Sequence, residues 1–194
     1  MTLVWTIFSF MVGAIPFPIL IGKYALGKDI RQYGDKNPGA TNVLRAGGFF
    51  WYALALILEI SKGAFPVGLA HQIYGIQDWR IIPIALGPTL GNAFSPFLNF
   101  KGGKALAASL GAWIGLTIWK IPLVAIVTII IATYFLSPHG WSVVVTLIAI
   151  GIGVIFWMNT PVLIGFWIVQ SLLLLFTHRK DLAQPPKLGI RRHI

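Results

Sequence analysis

The chain has 194 residues, of which 57% are hydrophobic and 10% are charged. Ordinary soluble domains carry roughly 25% charged residues, so this composition excludes a typical soluble domain and indicates a protein whose main solvent is lipid. The chain has no cysteine, which excludes a disulfide framework and a thiolate metal site. Its net charge of +10 suits anionic partners, but the basic residues lie in short loops between apolar segments, which disfavours nucleic-acid binding.

Seven apolar segments reach or approach the roughly 20 residues that a membrane-spanning helix needs. The first follows Met1 without a basic region or a small-residue cleavage site, so we expect it to be retained as a span. The fourth and fifth are short, which indicates tilted or partly re-entrant helices. No internal repeat or linker divides the chain, so we predict one integral membrane domain over residues 1–194, an all-α bundle of about seven transmembrane helices. The segments are 3–22, 49–71, 81–98, 105–119, 121–136, 141–157 and 160–177.

Lysine and arginine are shared unequally between the two sides that these segments define. Two connecting loops and the C-terminal tail carry most of the 15 basic residues, whereas the opposite side has Arg80 and Lys120, and Lys62 lies within a span. Cytoplasmic loops of membrane proteins carry the excess of positive charge, so we predict that the N-terminus lies outside and the C-terminus in the cytoplasm. The basic residues on the predicted cytoplasmic side are Lys23, Lys28, Arg31, Lys36, Arg45, Lys101, Lys104, Arg179, Lys180, Lys187, Arg191 and Arg192.

The longest polar stretch, residues 27–45, follows the first span. Its Asn37-Pro38-Gly39 sequence favours a tight turn, and Thr41 and Asn42 are candidates to cap a following helix, whose first N–H groups would attract an anion. Arg45 lies one turn further and could add a bidentate contact to a phosphate. The alternative interpretation is a solvated loop that serves only the distribution of positive charge.

A second polar loop, residues 99–105, joins the third and fourth apolar segments. Gly102 and Gly103 allow a ligand to approach the backbone closely, and the flanking Lys101 and Lys104 supply positive charge. The loop is not a nucleotide-binding Walker A sequence, because Lys104 is followed by alanine and position 98 is not glycine. Together with the first loop on the same side of the membrane, it predicts a site that holds phosphate.

Two other features carry ionisable groups that need an account. Glu59 and Lys62 are three residues apart within a span, so we expect them to share a helix face and to pair. The simpler interpretation is a structural ion pair near the membrane edge, and the alternative is a group that supports the cytoplasmic site. His178 directly follows the last apolar segment, where it could shuttle protons or bind phosphate, or simply belong to a basic cluster at the interface.

Metal chemistry and covalent catalysis find no support in the sequence. The four histidines, His71, His139, His178 and His193, do not lie at metal-ligand spacing, so we predict no structural zinc. No histidine is followed five positions later by aspartate, and no Gly-x-Ser-x-Gly elbow is present. An enzyme built from these residues would depend on positioning and charge stabilisation.

These motifs together resemble those of the bacterial acyl-phosphate:glycerol-3-phosphate acyltransferase family, known as PlsY, over nearly the whole chain. The first loop, the acidic-x-x-Lys-Gly helix, the Phe-Lys-Gly-Gly-Lys loop and the His-Arg pair each match one of its motifs. The matching residues are Asp29-Ile30-Arg31, Gly34, Asn37 to Arg45, Glu59, Lys62, Gly63, Pro66, Phe100 to Lys104, and His178-Arg179.

The resemblance implies that the chain moves a fatty acyl group from acyl phosphate to the 1-hydroxyl of glycerol 3-phosphate and releases lysophosphatidic acid and phosphate. It places this step of phospholipid biosynthesis at the cytoplasmic face of the bacterial inner membrane, without a cofactor, a metal, coenzyme A or a carrier protein. Its implied catalytic residues are Arg45, Lys104 and His178. Its implied substrate-binding residues are Asp35, Asn37, Gly39, Thr41, Asn42, Asn92, Lys101, Gly102 and Gly103.

The chain departs from the family pattern at several positions. Asp35 and Lys36 stand where the family usually has serine and glycine, and Asn92 stands where it usually has histidine. Ala105 replaces a usual glycine, and Asp181 replaces a usual asparagine. Asp35 would repel a phosphate unless Lys36 compensates its charge or the side chain turns away.

Two other functions therefore remain as alternatives. One is a weakened or inactive paralogue that binds phosphorylated lipid precursors without turnover. The other is a small membrane transporter, which only Glu59 and Lys62 favour.

Overall fold

The structure is a computed structural model that describes residues 1–189. Its internal contacts divide the chain into two compact units, Met1–Leu116 and Thr117–Ile194, which we describe separately. The prediction of a single domain stays a prediction. Three residues that carry a prediction lie outside the described residues. They are Arg191 and Arg192, which were predicted to add positive charge to the cytoplasmic tail, and His193, which was predicted not to bind a metal.

The first unit is helical, as the apolar segments predict. Its helices are joined by two loops rich in polar residues, by two 3₁₀ turns at Ile30–Gln32 and Pro96–Leu98, and by a π turn at Leu69–Ile73 that extends the fourth helix. The helices are α1 (Thr2–Ala14), α2 (Phe17–Tyr24), α3 (Ala40–Gly47), α4 (Phe49–Gly68), α5 (Ile81–Ala93) and α6 (Leu106–Thr117), the last of which ends at the unit boundary.

The first predicted span is broken between α1 and α2. The residue before a proline avoids the helical conformation, and Ile15, which precedes Pro16, is extended with φ −61° and ψ 120°. Pro18 has no N–H to donate to the Ala14 carbonyl four residues earlier. The Ser95 hydroxyl donates to that carbonyl instead, over 2.6 Å. The break therefore ties the first span to the end of α5.

Close helix contacts in this unit depend on glycine. A Cβ added at Gly91 of α5 would overlap the Phe10 carbonyl of α1, and a Cβ at Gly63 of α4 would overlap the Ala108 carbonyl of α6. Small residues of this kind let helix backbones approach closely in a lipid environment, where dispersion contacts and packing carry much of the association. The same glycines bring the helix ends together beneath the two polar loops.

The second unit, as far as residue 189, is also mainly helical. Helix α8 (His139–Gly153) packs against α7 (Lys120–Phe135), α9 (Pro161–Thr177) and the short α10 (Arg179–Leu182). The Trp167 indole N–H donates to the Leu147 carbonyl over 2.9 Å and joins α9 to α8. A two-residue antiparallel ladder between β1 (Leu136–Ser137) and β2 (Lys187–Leu188) is the departure from the all-α prediction, since strands this short leave no periodic pattern to read.

Four helical stretches are long and apolar enough to cross a membrane: Thr2–Tyr24, Phe49–Ile73, Ile81–Leu98 and His139–Met158. Three further apolar helices are shorter: Leu106–Thr117, Lys120–Phe135 and Pro161–Thr177. Each of the seven coincides with one of the apolar segments of the sequence. Large apolar side chains on their outer faces are exposed, as lipid-facing surfaces require.

Two glycines of α4 provide a matched test of this packing. We expect Gly63→Ala to destabilise the protein by about 1–3 kcal/mol, because the new methyl group overlaps the α6 backbone. At Gly68 a Cβ would meet nothing closer than the Gly115 Cα at 3.7 Å, so Gly68→Ala should be neutral or stabilise by up to about 1 kcal/mol. Thermal unfolding of the purified variants in detergent measures both effects, and equal midpoints would contradict the close approach of α4 and α6.

Candidate functional site

The first polar loop turns sharply before α3. The Gly39 N–H donates to the Asn37 carbonyl over 2.8 Å, and the extended Gly39 forms the N-cap of α3 without a side-chain cap. The expectation that Thr41 or Asn42 caps this helix is therefore wrong, because the Pro38-Gly39 turn starts the helix at Ala40 and places both residues in its first turn.

Asn42 is instead the centre of a hydrogen-bonded cluster. The residue is buried, and its side-chain amide donates to the Asn37 carbonyl over 2.8 Å and to the Asp35 carboxylate over 3.0 Å. Its side-chain oxygen accepts from the Arg45 guanidinium over 2.7 Å. Asn42 thus holds the turn before α3 and orients Arg45, which remains exposed.

Lys104 of the second loop completes this cluster. Its ammonium donates to the second oxygen of Asp35 over 3.0 Å, although the two residues are 69 positions apart in sequence. The Asn37 N–H donates to the first oxygen over 3.2 Å. We name this set, Asp35, Asn37, Asn42, Arg45 and Lys104, the two-loop cluster.

Gly34 needs to be glycine for Arg45 to occupy its position. A Cβ at Gly34 would overlap the Arg45 guanidinium, and the backbone there is left-handed with φ +52°. Lys36 and Ala105 are also left-handed, with φ of 61° and 62°, at positions where the resembled family usually has glycine. Non-glycine residues pay roughly 1–2 kcal/mol in this conformation, so both substitutions sit on strained backbone.

The glycines of the second loop serve its packing. The Gly102 N–H donates to the Ala93 carbonyl over 3.1 Å, and the Gly103 N–H donates to the Asn92 carbonyl over 3.0 Å. Both N–H groups are thus used by the last turn of α5, and the substrate-binding role predicted for Gly102 and Gly103 stays a prediction. Lys101 is exposed at the start of the loop, and α6 begins after it at Leu106.

A buried ion pair lies beneath these loops. The Lys62 ammonium donates to Glu59 over 2.6 Å and to the Ile15 carbonyl at the α1–α2 break over 2.9 Å. The predicted pairing of Glu59 and Lys62 is confirmed, and both residues are about 95% or more buried. The Asn92 side-chain amide donates to the other Glu59 oxygen. This link between α4 and α5, 33 positions apart, has no signal in the sequence.

One pocket connects the ion pair with the loops. Its lining includes Glu59, Lys62, Asn92, Pro38 and Gly103. A Cβ at Gly103 would come within 3.0 Å of the Asn92 side-chain oxygen and 3.6 Å of that of Asn37. The pocket therefore combines the Asn92 amide and the Glu59–Lys62 charge pair with apolar lining residues such as Leu98.

His178 belongs to the second unit and is described there. It is buried at the end of α9, and its ring Nδ1 lies 2.9 Å from the Leu174 carbonyl and 3.2 Å from the Thr177 hydroxyl. A carbonyl only accepts hydrogen bonds, so Nδ1 carries a proton that it donates to the Leu174 carbonyl. Its predicted role in catalysis stays a prediction.

Four of the five residues in the two-loop cluster carry cationic or amide groups that can bind an anion: Asn37, Asn42, Arg45 and Lys104. Charge-assisted bonds from such groups suit phosphate oxygens. Among residues 1–189, no three His, Asp or Glu side chains lie close enough to hold a metal ion. The prediction that the chain uses no metal or cofactor stays a prediction.

The charge of Asp35 depends on its neighbours. Burial raises the pKa of this carboxyl, but the hydrogen bond and the positive charge of Lys104, together with the Asn37 N–H and the Asn42 amide, outweigh burial and leave the pKa below its ordinary value. A group with a depressed folded pKa contributes stability above its unfolded pKa and loses it as the pH falls through the folded pKa. The Asp35–Lys104 pair is thus present at neutral pH, and its contribution is lost as the pH falls through the lowered pKa of Asp35.

We expect Lys104→Ala to raise the pKa of Asp35 above its wild-type value, because burial remains while the ammonium is removed. Lys101→Ala, which removes an exposed lysine from the same loop, should leave that pKa unchanged. Carboxyl ¹³C NMR of aspartate-labelled protein as a function of pH measures both. An unchanged pKa in Lys104→Ala would show that the ion pair does not form in solution.

Comparison with known proteins finds similarity to glycerol-3-phosphate acyltransferases. The family described as glycerol-3-phosphate acyltransferase matches residues 3–185. The glycerol-3-phosphate acyltransferase of Maridesulfovibrio salexigens is 33% identical over 193 residues, covering 94% of this chain and 92% of the relative. The one from Synechocystis is 34% identical over 197 residues, covering 93% of this chain and 88% of the relative.

A solved structure is also similar over almost the whole chain. It is the crystal structure of PlsY (YgiH), described as an integral membrane glycerol 3-phosphate acyltransferase, in its glycerol 3-phosphate form. The TM-score is 0.85 at 27% identity, with 94% of this chain and 90% of that chain covered. The lysophosphatidic acid form of PlsY matches with a TM-score of 0.83.

Proposed function

The chain belongs to the glycerol-3-phosphate acyltransferase family, and on this premise we propose that it uses acyl phosphate as the donor and the two-loop cluster as the site that holds phosphate. The family resemblance of the sequence motifs is confirmed. The chain is an acyltransferase and a multi-pass membrane protein. Its acceptor is glycerol 3-phosphate and its product is lysophosphatidic acid, the two ligands named for the similar PlsY structures.

The observation that carries the proposed site is the meeting of two distant loops at one cluster. Arg45 on α3 and Lys104 on the second loop are joined through Asn42 and Asp35. Both proposed substrates carry phosphate, so two anions must be brought together before they react. Fixed cations and amides lower the electrostatic cost of that encounter and orient the reacting atoms.

The reaction balances without a covalent enzyme intermediate. The 1-hydroxyl oxygen of glycerol 3-phosphate attacks the carbonyl carbon of acyl phosphate, and the bond from that carbon to the phosphate oxygen breaks. The phosphate leaves with the electron pair, and the hydroxyl proton ends on the released phosphate in the overall balance. Arg45 and Lys104 are proposed to neutralise charge on the phosphate groups, as charge-assisted donors do.

The remaining site residues are proposed in supporting roles. The turn that contains Asn37, Gly39 and Thr41, together with Asn42, shapes one side of the site, and Asn92 with the Lys101–Lys104 loop shapes the other. Gly102 and Gly103 act through their packing on α5. His178 is proposed as a third catalytic group because it matches the His-Arg motif. The hydrogen bond from its Nδ1–H to the Leu174 carbonyl fixes the orientation of the ring.

The membrane arrangement is proposed from the helices and the charge distribution. Seven apolar helices, four long and three short, supply up to seven crossings of a bacterial inner membrane. The positive charge of the two loops supports a cytoplasmic position for the site, with the N-terminus outside. The transporter alternative loses its motivation, since Glu59 and Lys62 bond to each other, to Asn92 and to the Ile15 carbonyl.

The test is turnover by the purified full-length chain in liposomes. We expect release of phosphate and lysophosphatidic acid from acyl phosphate and glycerol 3-phosphate, and a loss in kcat/KM of about 10²-fold or more for Lys104→Ala, by analogy with the loss of one transition-state donor. Lys23→Ala removes an exposed lysine at the end of α2 and should keep its activity within about twofold, as surface substitutions usually do.

Two results would contradict the proposal. Turnover with acyl coenzyme A but not with acyl phosphate would overturn the donor. Full activity of Lys104→Ala would show that the two-loop cluster does not bind the substrate phosphate. A folded wild type that binds glycerol 3-phosphate without turnover would instead favour the inactive paralogue.

A further inference from the structure

Asp35 is coordinated as a bound anion would be. Its carboxylate accepts from the Lys104 ammonium over 3.0 Å, from the Asn42 amide over 3.0 Å and from the Asn37 N–H over 3.2 Å. Arg45 stands next to this position and donates to the oxygen of the same Asn42 side chain. A charged group, a side-chain amide and a backbone N–H are the donors that proteins direct at phosphate.

The two other aspartates of the first unit do not behave in this way. Asp29 and Asp78 each pair with an arginine two positions later, Arg31 and Arg80, on an exposed surface. Each of these pairs joins residues of the same loop and does not connect that loop to another one. The bond of Asp35 to Lys104 instead joins residues 69 positions apart, and it engages a cation of the proposed phosphate site. The ion pair that compensates the charge of Asp35 is formed by Lys104, and not by the neighbouring Lys36 that the sequence suggested.

A phosphate that binds Lys104 and Asn42 therefore meets a carboxylate already in place. The phosphate must either displace the carboxylate, which then loses its charge-assisted bonds, or bind beside it against like-charge repulsion. Both routes weaken phosphate binding without removing any group that acts on the reaction. Asp35 is 47% exposed on its side chain, so it has room to turn toward water when it is displaced.

We propose that Asp35 is a specificity-determining residue, an internal anion that competes with a substrate phosphate for Lys104 and Asn42 and so sets the affinity of the enzyme for its phosphorylated substrates. This inference rests on the proposed function of the two-loop cluster. The phosphate can come from glycerol 3-phosphate or from acyl phosphate, and the two sources share the same chemistry. The residue acts on binding, so its effect belongs in KM and in the dissociation constant.

The experiment measures KM for each substrate with the other saturating, on full-length protein in liposomes. The variants are Asp35→Asn and Asp35→Ser, which remove the charge, and Asp35→Glu, which keeps it. Asp29→Asn is the matched control, since it removes the same charge from the same loop and leaves a side-chain oxygen for the Arg31 N–H. We expect both neutral variants to lower KM for one or both substrates by about tenfold or more, since like charges in a binding site weaken affinity strongly.

Asp35→Glu should keep a high KM, and Asp29→Asn should keep the wild-type KM within about twofold, as an exposed local pair predicts. A lower KM for glycerol 3-phosphate alone identifies the acceptor phosphate as the competitor, and a lower KM for acyl phosphate alone identifies the donor. A merely structural role for Asp35 predicts a higher KM and a lower thermal midpoint. Unchanged or raised KM for both substrates in both neutral variants overturns the inference.

Direct binding separates this inference from the proposed function. If the wild type shows no turnover, the proposed donor or reaction is wrong. Calorimetric titration with glycerol 3-phosphate and with inorganic phosphate then compares wild type, Asp35→Asn and Asp29→Asn. Tighter binding by Asp35→Asn alone supports the internal anion, and equal binding by all three proteins overturns it.

Discussion

The buried pair of Glu59 and Lys62 is the constraint on which the first unit depends. Both charges lie within an apolar helix, where an unpaired charge is costly and water is scarce. They satisfy each other over 2.6 Å, and each uses its remaining capacity to hold another element. Lys62 donates to the Ile15 carbonyl at the α1–α2 break, and Glu59 accepts from Asn92 at the end of α5. The ion pair on α4 therefore joins that helix to the first span and to α5.

This network passes directly to the loops that form the candidate site. The carbonyl of Asn92 accepts from the Gly103 N–H, while its side chain is held by Glu59. The position of the second loop therefore follows from the ion pair through a single residue. Pro38 of the first loop lines the same pocket. Loss of one partner would leave a buried charge without its counter-ion, which is more damaging than replacement of the whole pair by apolar residues.

The sequence predicted the elements well and their long-range contacts poorly. The apolar segments and the pairing of Glu59 with Lys62 are local patterns with a defined period, so they were readable. The cap of α3 was misassigned because the Pro38-Gly39 turn starts the helix earlier than the side chains suggest. The bond between Asp35 and Lys104 joins two loops that meet only because the helices pack together. No residue pattern near either loop predicts this bond.

Charge balance gives the clearest view of why Asp35 matters. Each acid of the first unit has a basic partner: Asp29 with Arg31, Asp35 with Lys104, Glu59 with Lys62 and Asp78 with Arg80. Three of these pairs neutralise charge at the surface or inside the bundle. The Asp35–Lys104 pair instead engages a cation of the proposed phosphate site, while Arg45 and Lys101 are exposed. On the proposed function, the exposed cations would attract phosphate from a distance, and the Asp35 carboxylate would reduce the attraction at the point of binding, so that a substrate is captured without being held too tightly to react.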